Sequence, residues 1–441
     1  MPGEVLNTPS RDLLESLFRT AVATAHPSRC LPPNLPEFFL PNGRLVILAA
    51  GKAAGSMTEV AERHYLAQMA ERHIAADRLR GVAVTRHGYG RPTRQIPVIE
   101  AGHPVPDEAG LAGTERTLAL ADAAGNDDLV VVLISGGASA NWTAPAAGLT
   151  LTEKQAVTRA LLRSGANIGE INCVRKHLSR IKGGRLARRA HPAKVVTLAI
   201  SDVPGDDPAV IGSGPTMPDP TTLEDARAIV RRYRLDLPEA VTRALGDSAN
   251  ETPKPGDKIF AGVTYRIVAR PADALRAARS RAENAGYECV MLGDRVQGEA
   301  REVAAEHARL ALKVSAEGRR AAILSGGELT VTLRGQGSGG PNQEYALALA
   351  IHLDGAKGIA ALAADTDGTD GGRGRPDDPA GAFIDETTIA RARAAGLDPA
   401  AFLADNDSTG FFNGIGDLFR PGPTFTNVTD FRAIVVDRPS I

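Results

Sequence analysis

Three short apolar runs, each broken off by small or acidic residues, constrain this chain more than any other feature. Residues 44–50 (RLVILAA) lead into Gly51-Lys52-Ala53-Ala54-Gly55, residues 128–134 (DLVVVLI) into Ser135-Gly136-Gly137, and residues 195–200 (VVTLAI) into Ser201-Asp202. Short length and β-branched content suit strands buried on both faces of a parallel sheet. Helical stretches separate the runs, and in such α/β sheets ligands bind beyond the carboxyl ends of the strands.

The residues just past each run carry the candidate chemistry. Lys52 stands where a strand end turns into a helix, a geometry that suits an anion; a solvated lysine fits that stretch equally well. Neither GxxxxGK[ST] nor GxSxG occurs, so the small residues 135–139 suit close substrate binding better than acylation. The stretch 201–222 (SDVPGDDPAVIGSGPTMPDPTT) is longer than a compact connection needs. Its acids suit a hard cation and its glycines an anion, the alternative being a surface loop with no ligand. His103, in the turn 102–107, reads as a turn histidine. A helix expected over 170–182 has an apolar stripe of Ile171, Val174, Leu178 and Ile181. Asn172, Arg175, Ser179 and Lys182 line its flank, as a carboxylate or phosphate clamp would, or as the solvated basic edge of an ordinary helix would.

A polar stretch at 247–257 marks a domain boundary, dividing the chain into 1–250 and 251–441. Beyond it, strand and helix patterns alternate over 265–324 as βαβαβ, which predicts a second parallel sheet. Ser325-Gly326-Gly327-Glu328 echoes residues 135–137 as a loop at a strand end. Residues 335–340 satisfy GxGxxG, but Pro341 opens the next helix, so the glycines precede it. A flexible loop covering phosphates fits better than a dinucleotide fingerprint. Asp365, Asp367 and Asp370 crowd the next strand end, where one or two carboxylates with substrate phosphates would hold Mg²⁺.

Composition narrows the class. Lys+Arg 51 against Asp+Glu 52 gives a net charge of -1, so no global field recruits nucleic acid or an anionic membrane surface. Cys30, Cys173 and Cys289 show no metal or disulfide spacing, which fits a reducing, cytoplasmic setting. No stretch approaches a membrane span, and the start of the chain has early acids and no apolar leader.

AAGKAAGSM (49–57), GHPVPDE (102–108), SGGASA (135–140), INCVRKHLSRIKGG (171–184), the 201–222 stretch, SGGE (325–328), GGPNQE (339–344), DTDGTDG (365–371) and TNVTD (426–430) together resemble the glycerate 2-kinase family, with a C-terminal MOFRL region at about 320–436. The resemblance runs in order along nearly the whole chain. It implies two Rossmann-like α/β domains, each a mainly parallel sheet flanked by helices, with the active site in a cleft between them. The implied reaction moves the γ-phosphoryl of ATP to the 2-hydroxyl of D-glycerate with Mg²⁺. Lys52 is then the catalytic lysine, and Arg175 and Asp202 are its catalytic partners. Ser135, Gly136, Gly137, Asn172 and Lys182 are expected to bind substrate, and Gly326, Gly327, Glu328, Gly337, Gly339, Asn342 and Thr366 the nucleotide. Asp202, Asp367 and Asp370 are the expected metal ligands. The chain departs from the family pattern at Pro341, where many members have arginine, and at Thr429, where asparagine is usual. The rival reading is an NAD(P)H-dependent hydroxypyruvate reductase. A homo-oligomer is left open.

Overall fold

The three apolar runs become adjacent parallel strands at the centre of one sheet. A computed structural model describes residues 9–38, 42–372 and 375–438; residues 1–8, where no apolar leader is expected, lie outside them. Contacts divide the chain into two units, Cys30–Val268, and the segment ending at Arg29 joined to Ala269–Ile441.

The first unit is built on β1 (Leu45–Ala50), β2 (Leu79–Arg86), β3 (Val98–Ala101), β4 (Leu129–Ile134), β5 (Lys194–Ile200) and β6 (Val263–Ala269), in the order β3-β2-β1-β4-β5-β6. Pairing is parallel from β3 through to β5. Every residue of β1 and β4 is buried, as apolar runs covered on both faces require. Chain order reverses between β1 and β4, which makes their carboxyl ends the topological switch point where such sheets take ligands. Helices Leu151–Arg163, Ile168–His177, Leu223–Arg232 and Glu239–Gly246 form a satellite core through Val157, Leu161, Ile171, Val174, Leu223 and Val241.

The second unit holds β7 (Glu288–Glu299), β8 (Ala321–Thr330), β9 (Ile359–Asp365), β10 (Gly381–Ile384), β11 (Leu418–Phe419) and β12 (Asp430–Val436), in the order β11-β10-β9-β12-β8-β7. This sheet is not mainly parallel. Only β7 and β8 pair in parallel; β8–β12, β12–β9, β9–β10 and β10–β11 are antiparallel. Helices do connect β7, β8 and β9, and these three run the same way. But β12 arrives from a loop with no crossover helix, so it enters between β8 and β9 from their carboxyl ends.

Two further expectations change. The 265–269 strand, taken as the start of the second sheet, is the edge strand beside β5 in the first. The leading helix, Pro9–Ala25, which a division at 250 would put in the first domain, belongs to the second unit. Its buried Phe18 meets Phe419 and Phe431 edge to face at 5.0 and 6.0 Å between ring centroids. Arg11 pairs with Asp417 at 3.1 Å, and the Thr426 hydroxyl donates to the Ala25 carbonyl at 2.7 Å. Among the described residues no helix is long and apolar enough to cross a membrane.

Candidate active site

The switch point of the first sheet is clasped by its own loops. After β1, Gly51 adopts φ +117°, and a Cβ there would stand 2.4 Å from the Ser135 carbonyl and hydroxyl oxygens, so only glycine lets the two loops meet. Lys52 N–H donates to the Gly136 carbonyl at 2.7 Å, and Ala53 N–H donates to the Ser135 hydroxyl at 2.9 Å. Ser135 is therefore fully buried and spent on holding the turn that presents Lys52. Gly137, at φ +83°, lies directly between two side chains: its Cβ would be 3.0 Å from Cδ2 of His103 and 3.2 Å from Cγ of Lys52. His103 thus belongs beside Lys52, although nothing in its local sequence announces this.

Ser139 is the hub of a second cluster. Arg175 Nη2 donates to its hydroxyl at 2.7 Å, and Lys182 Nζ donates to the same oxygen at 3.0 Å and to the Ser139 carbonyl at 2.8 Å. With both lone pairs used, the Ser139 hydrogen is left for the Ser213 hydroxyl at 2.8 Å. Ser213 reaches that place because Gly212, Ser213 and Gly214 all hold positive φ (60°, 64°, 57°), folding the 201–222 loop back over the end of β4. Asn172 accepts from Arg175 Nη1 at 3.4 Å. The helix ends at His177, earlier than the expected 182, since Leu178 is its C-cap and Ser179 turns to accept from Ile181 and Lys182 N–H. Lys182 still reaches Ser139.

Charge in this cluster is unbalanced. Neither Arg175 nor Lys182 pairs with a carboxylate among the described residues, and Arg175 Nε is buried without a hydrogen-bond partner. Burial, then the nearby Arg175 and Lys154 charges, pull the Lys182 ammonium well below the ordinary lysine range. A buried lysine and a half-buried arginine set against hydroxyl and carbonyl oxygens suit an anion that arrives with a ligand. Asp202, half-buried, begins the loop after β5.

In the second unit, most residues expected to contact nucleotide or metal hold the fold together. Gly326 and Gly327 lie inside β8, not in a loop; they pair with Phe431 and Asp430, and Gly327 also faces Val296 in β7, where a Cβ would stand 2.3 Å from the Val296 carbonyl. Glu328 continues that strand, exposed, opposite Gln297. In the 335–340 loop the amides of residues 335–338 are already taken. Gln336 and Ser338 N–H donate to the Asp405 and Asp407 carboxylates at 3.0 and 3.1 Å, Gly335 N–H to the Asn406 side chain at 3.0 Å, and Gly337 N–H to the Asp405 carbonyl at 2.9 Å. Gly337 and Gly339 are needed there because Asp407 and Ser408 stand where their Cβ atoms would go. The Thr366 hydroxyl donates to the Thr429 carbonyl at 2.6 Å and accepts from Val428 N–H at 2.9 Å.

Asp370 departs furthest from its expected role as a metal ligand. Its two carboxylate oxygens accept from the backbone N–H groups of Asn342 (3.0 Å) and Gln343 (2.9 Å) and from both side-chain amides (3.1 Å each). It closes the N-terminus of the helix Pro341–Leu353 from outside the helix. Burial pushes its acid up to about 7, assisted by the Asp430 carboxylate and opposed by those N–H donors. Asn342 also donates to Asp430 at 2.7 Å, so it ties the helix start to β12. Asp367 accepts from Thr369 N–H and hydroxyl at 2.8 and 3.0 Å. No three His, Cys, Asp or Glu side chains gather as a metal cage among the described residues.

A doubly wound sheet whose switch point presents Lys52, with buried Lys182 and half-buried Arg175 paired to no carboxylate among the described residues, has the arrangement that a small-anion site in an α/β protein takes. Comparison with known proteins narrows this. A domain-of-unknown-function model, DUF4147, matches residues 13–246, and the MOFRL family model matches 321–430. An Agrobacterium vitis protein, provisionally named hydroxypyruvate reductase, is 48% identical over 97% of this chain and 94% of its own. The D-glycerate 2-kinase of Thermotoga maritima is 38% identical over 95% of this chain and 97% of its own. A crystal structure of glycerate kinase from that organism superposes with a TM-score of 0.82 at 37% identity, covering 97% of this chain and 99% of the other. The chain belongs to the glycerate 2-kinase family.

Proposed function

We propose that this chain transfers the γ-phosphoryl group of ATP to the 2-hydroxyl of D-glycerate, giving 2-phosphoglycerate and ADP. The observation that carries this reading is the pair of buried Lys182 and half-buried Arg175 around Ser139, with no carboxylate partner among the described residues, in a chain similar along its length to a D-glycerate 2-kinase. Arg175 and Lys182 hold the substrate carboxylate, with Asn172 orienting the guanidinium. Ser135, Gly136 and Gly137 fix the turn that carries Lys52 and leave room for the substrate's carbon chain. Lys52 faces the transferring phosphoryl group. The 2-hydroxyl oxygen bonds to the γ-phosphorus as the β,γ-bridging bond breaks. The electron pair leaves with ADP, and the hydroxyl proton passes to Asp202. Such transfers rest on charge neutralisation and positioning more than on covalent catalysis.

The donor set fits Mg²⁺ without a protein cage, because Mg²⁺ keeps waters and phosphate oxygens and needs only one or two carboxylates. Asp202 or Asp367 would hold it; Asp370, already accepting four N–H bonds, would not. When bound, Mg²⁺ supplies charge neutralisation and alignment of the phosphates. Against the reductase reading, the amides of residues 335–338, in the loop it would need for a dinucleotide, bond to residues 405–407.

ADP release tests this proposal. D-Glycerate should stimulate it, and Lys52→Ala should lower kcat by about 10²-fold or more while the melting temperature stays near that of the unaltered chain. Oxidation of NADH or NADPH by hydroxypyruvate with no ADP release would contradict it.

A further inference from the structure

On the helix Leu151–Arg163 the buried positions are Leu151, Lys154, Val157 and Leu161, so a lysine stands on the apolar stripe. Lys154 is 7% exposed, and its ammonium is buried with no hydrogen-bond partner among the described residues. No carboxylate pairs with it among the described residues. Unpartnered buried ammonium groups are costly, and a fold keeps one when something else supplies the counter-charge. Val157 and Leu161 of the same stripe pack with Ile171 and Val174 of the helix that carries Arg175, which brings Lys154 within reach of the Arg175 and Arg180 charges and Lys182 within reach of its own. Arg180 is neutralised by its ion pair with Glu115. Among the described residues no carboxylate neutralises Arg175 or Lys182, and both converge on Ser139.

We propose that Lys154 is a third cation of the anion pocket, setting its preference for acceptors that bring a carboxylate over uncharged polyols. This rests on the glycerate reading for the identity of the acceptor, but not for the cluster of cations around Ser139. Lys154 acts by charge together with Arg175 and Lys182, and takes no part in the transfer itself. Burial, then the Arg175 and Arg180 charges, hold Lys154 down to about 7. A carboxylate entering near neutral pH therefore favours its protonated form, and binding takes up a proton.

The test compares Lys154→Met and Lys154→Arg with the unaltered chain. Lys154→Met should raise KM for D-glycerate about ten- to hundred-fold, the loss expected for one charged contact. KM for ATP and kcat should stay within about two-fold, and Lys154→Arg should recover most of the loss. Calorimetric titration with D-glycerate in two buffers of different ionisation enthalpy should show proton uptake in the unaltered chain and less in Lys154→Met. Removing an unpaired buried charge should leave the melting temperature unchanged or raise it. If Lys154→Met proves insoluble, Lys154→Gln serves for the same titration. If the chain phosphorylates no glycerate, the kinase reading fails, and Lys154 is judged on inorganic sulfate alone, which should raise the melting temperature of the unaltered chain but not of Lys154→Met. Equal KM for D-glycerate, or equal sulfate stabilisation, in a folded Lys154→Met overturns the proposal. So does a parallel rise in both KM values with a lowered melting temperature, which marks a structural lysine.

Discussion

Lys154 and Lys182 face the same problem, a buried ammonium without an anion, and its consequence can be read in pH. Below about 7 Lys154 is charged in the folded and unfolded chain alike, and the cost of burying that charge is fully felt. As pH rises from about 7 toward the ordinary lysine value of 10.5, the folded chain gives up the proton and the unfolded chain keeps it. The unfolded state then binds more protons, so stability from this group rises with pH. The ligand-free protein should therefore lose less melting temperature between pH 7 and 9 than Lys154→Met does; a steeper fall in the unaltered chain would contradict this. At this scale, legibility followed locality. Lys52 and residues 135–137 could be found because a strand end fixes where the next residues point. Arg175 and Lys182 stood out as a polar row, although Lys182 arrives from a turn and not from the helix. His103 has no local mark, since its neighbours Gly137 and Lys52 come from other loops. Lys154 did leave a mark, a lysine in step with Leu151, Val157 and Leu161, visible once the period of that helix is counted.

Among the elements, the helix Pro341–Leu353 shows why an acid-rich strand end need not be a metal site. The helix is buried from Asn342 to Ala350, so its first N–H groups have no water to turn to. Asp370 supplies the acceptors from a loop 27 residues away along the chain. Asp370→Ala should cost about 2–3 kcal/mol, a lost cap plus orphaned donors, measured by denaturant unfolding. A change below about 0.5 kcal/mol would return Asp370 to the candidate metal ligands. Spacing of acids and glycines suggests a site but does not distinguish ligands from caps, because the distinction depends on which helix start lies opposite. The same limit applies to the second sheet. Alternation of strand and helix sets the shared direction of β7, β8 and β9, whereas nothing in the pattern tells where a last strand, joined by a loop, will insert.

For the whole molecule, sequence order and unit membership part company at the leading helix. Its apolar face is plain from Leu13, Leu14, Leu17 and Ala21, but a stripe says only that something covers it. The cover proves to be the second unit, where Phe18 fits against Phe419 and Phe431. Phe18→Ala should cost about 3–5 kcal/mol, and hydrogen exchange should place the loss in residues 269–438; a loss confined to residues 42–268 would contradict that assignment. The central claim is phosphoryl transfer to the 2-hydroxyl of a carboxylate-bearing acceptor. It is tested most directly by incubating the chain with ATP, Mg²⁺ and D-glycerate and identifying the product by ³¹P NMR. The account predicts 2-phosphoglycerate and ADP as the sole new phosphorus species; 3-phosphoglycerate, or consumption of ATP that is indifferent to D-glycerate, would contradict it.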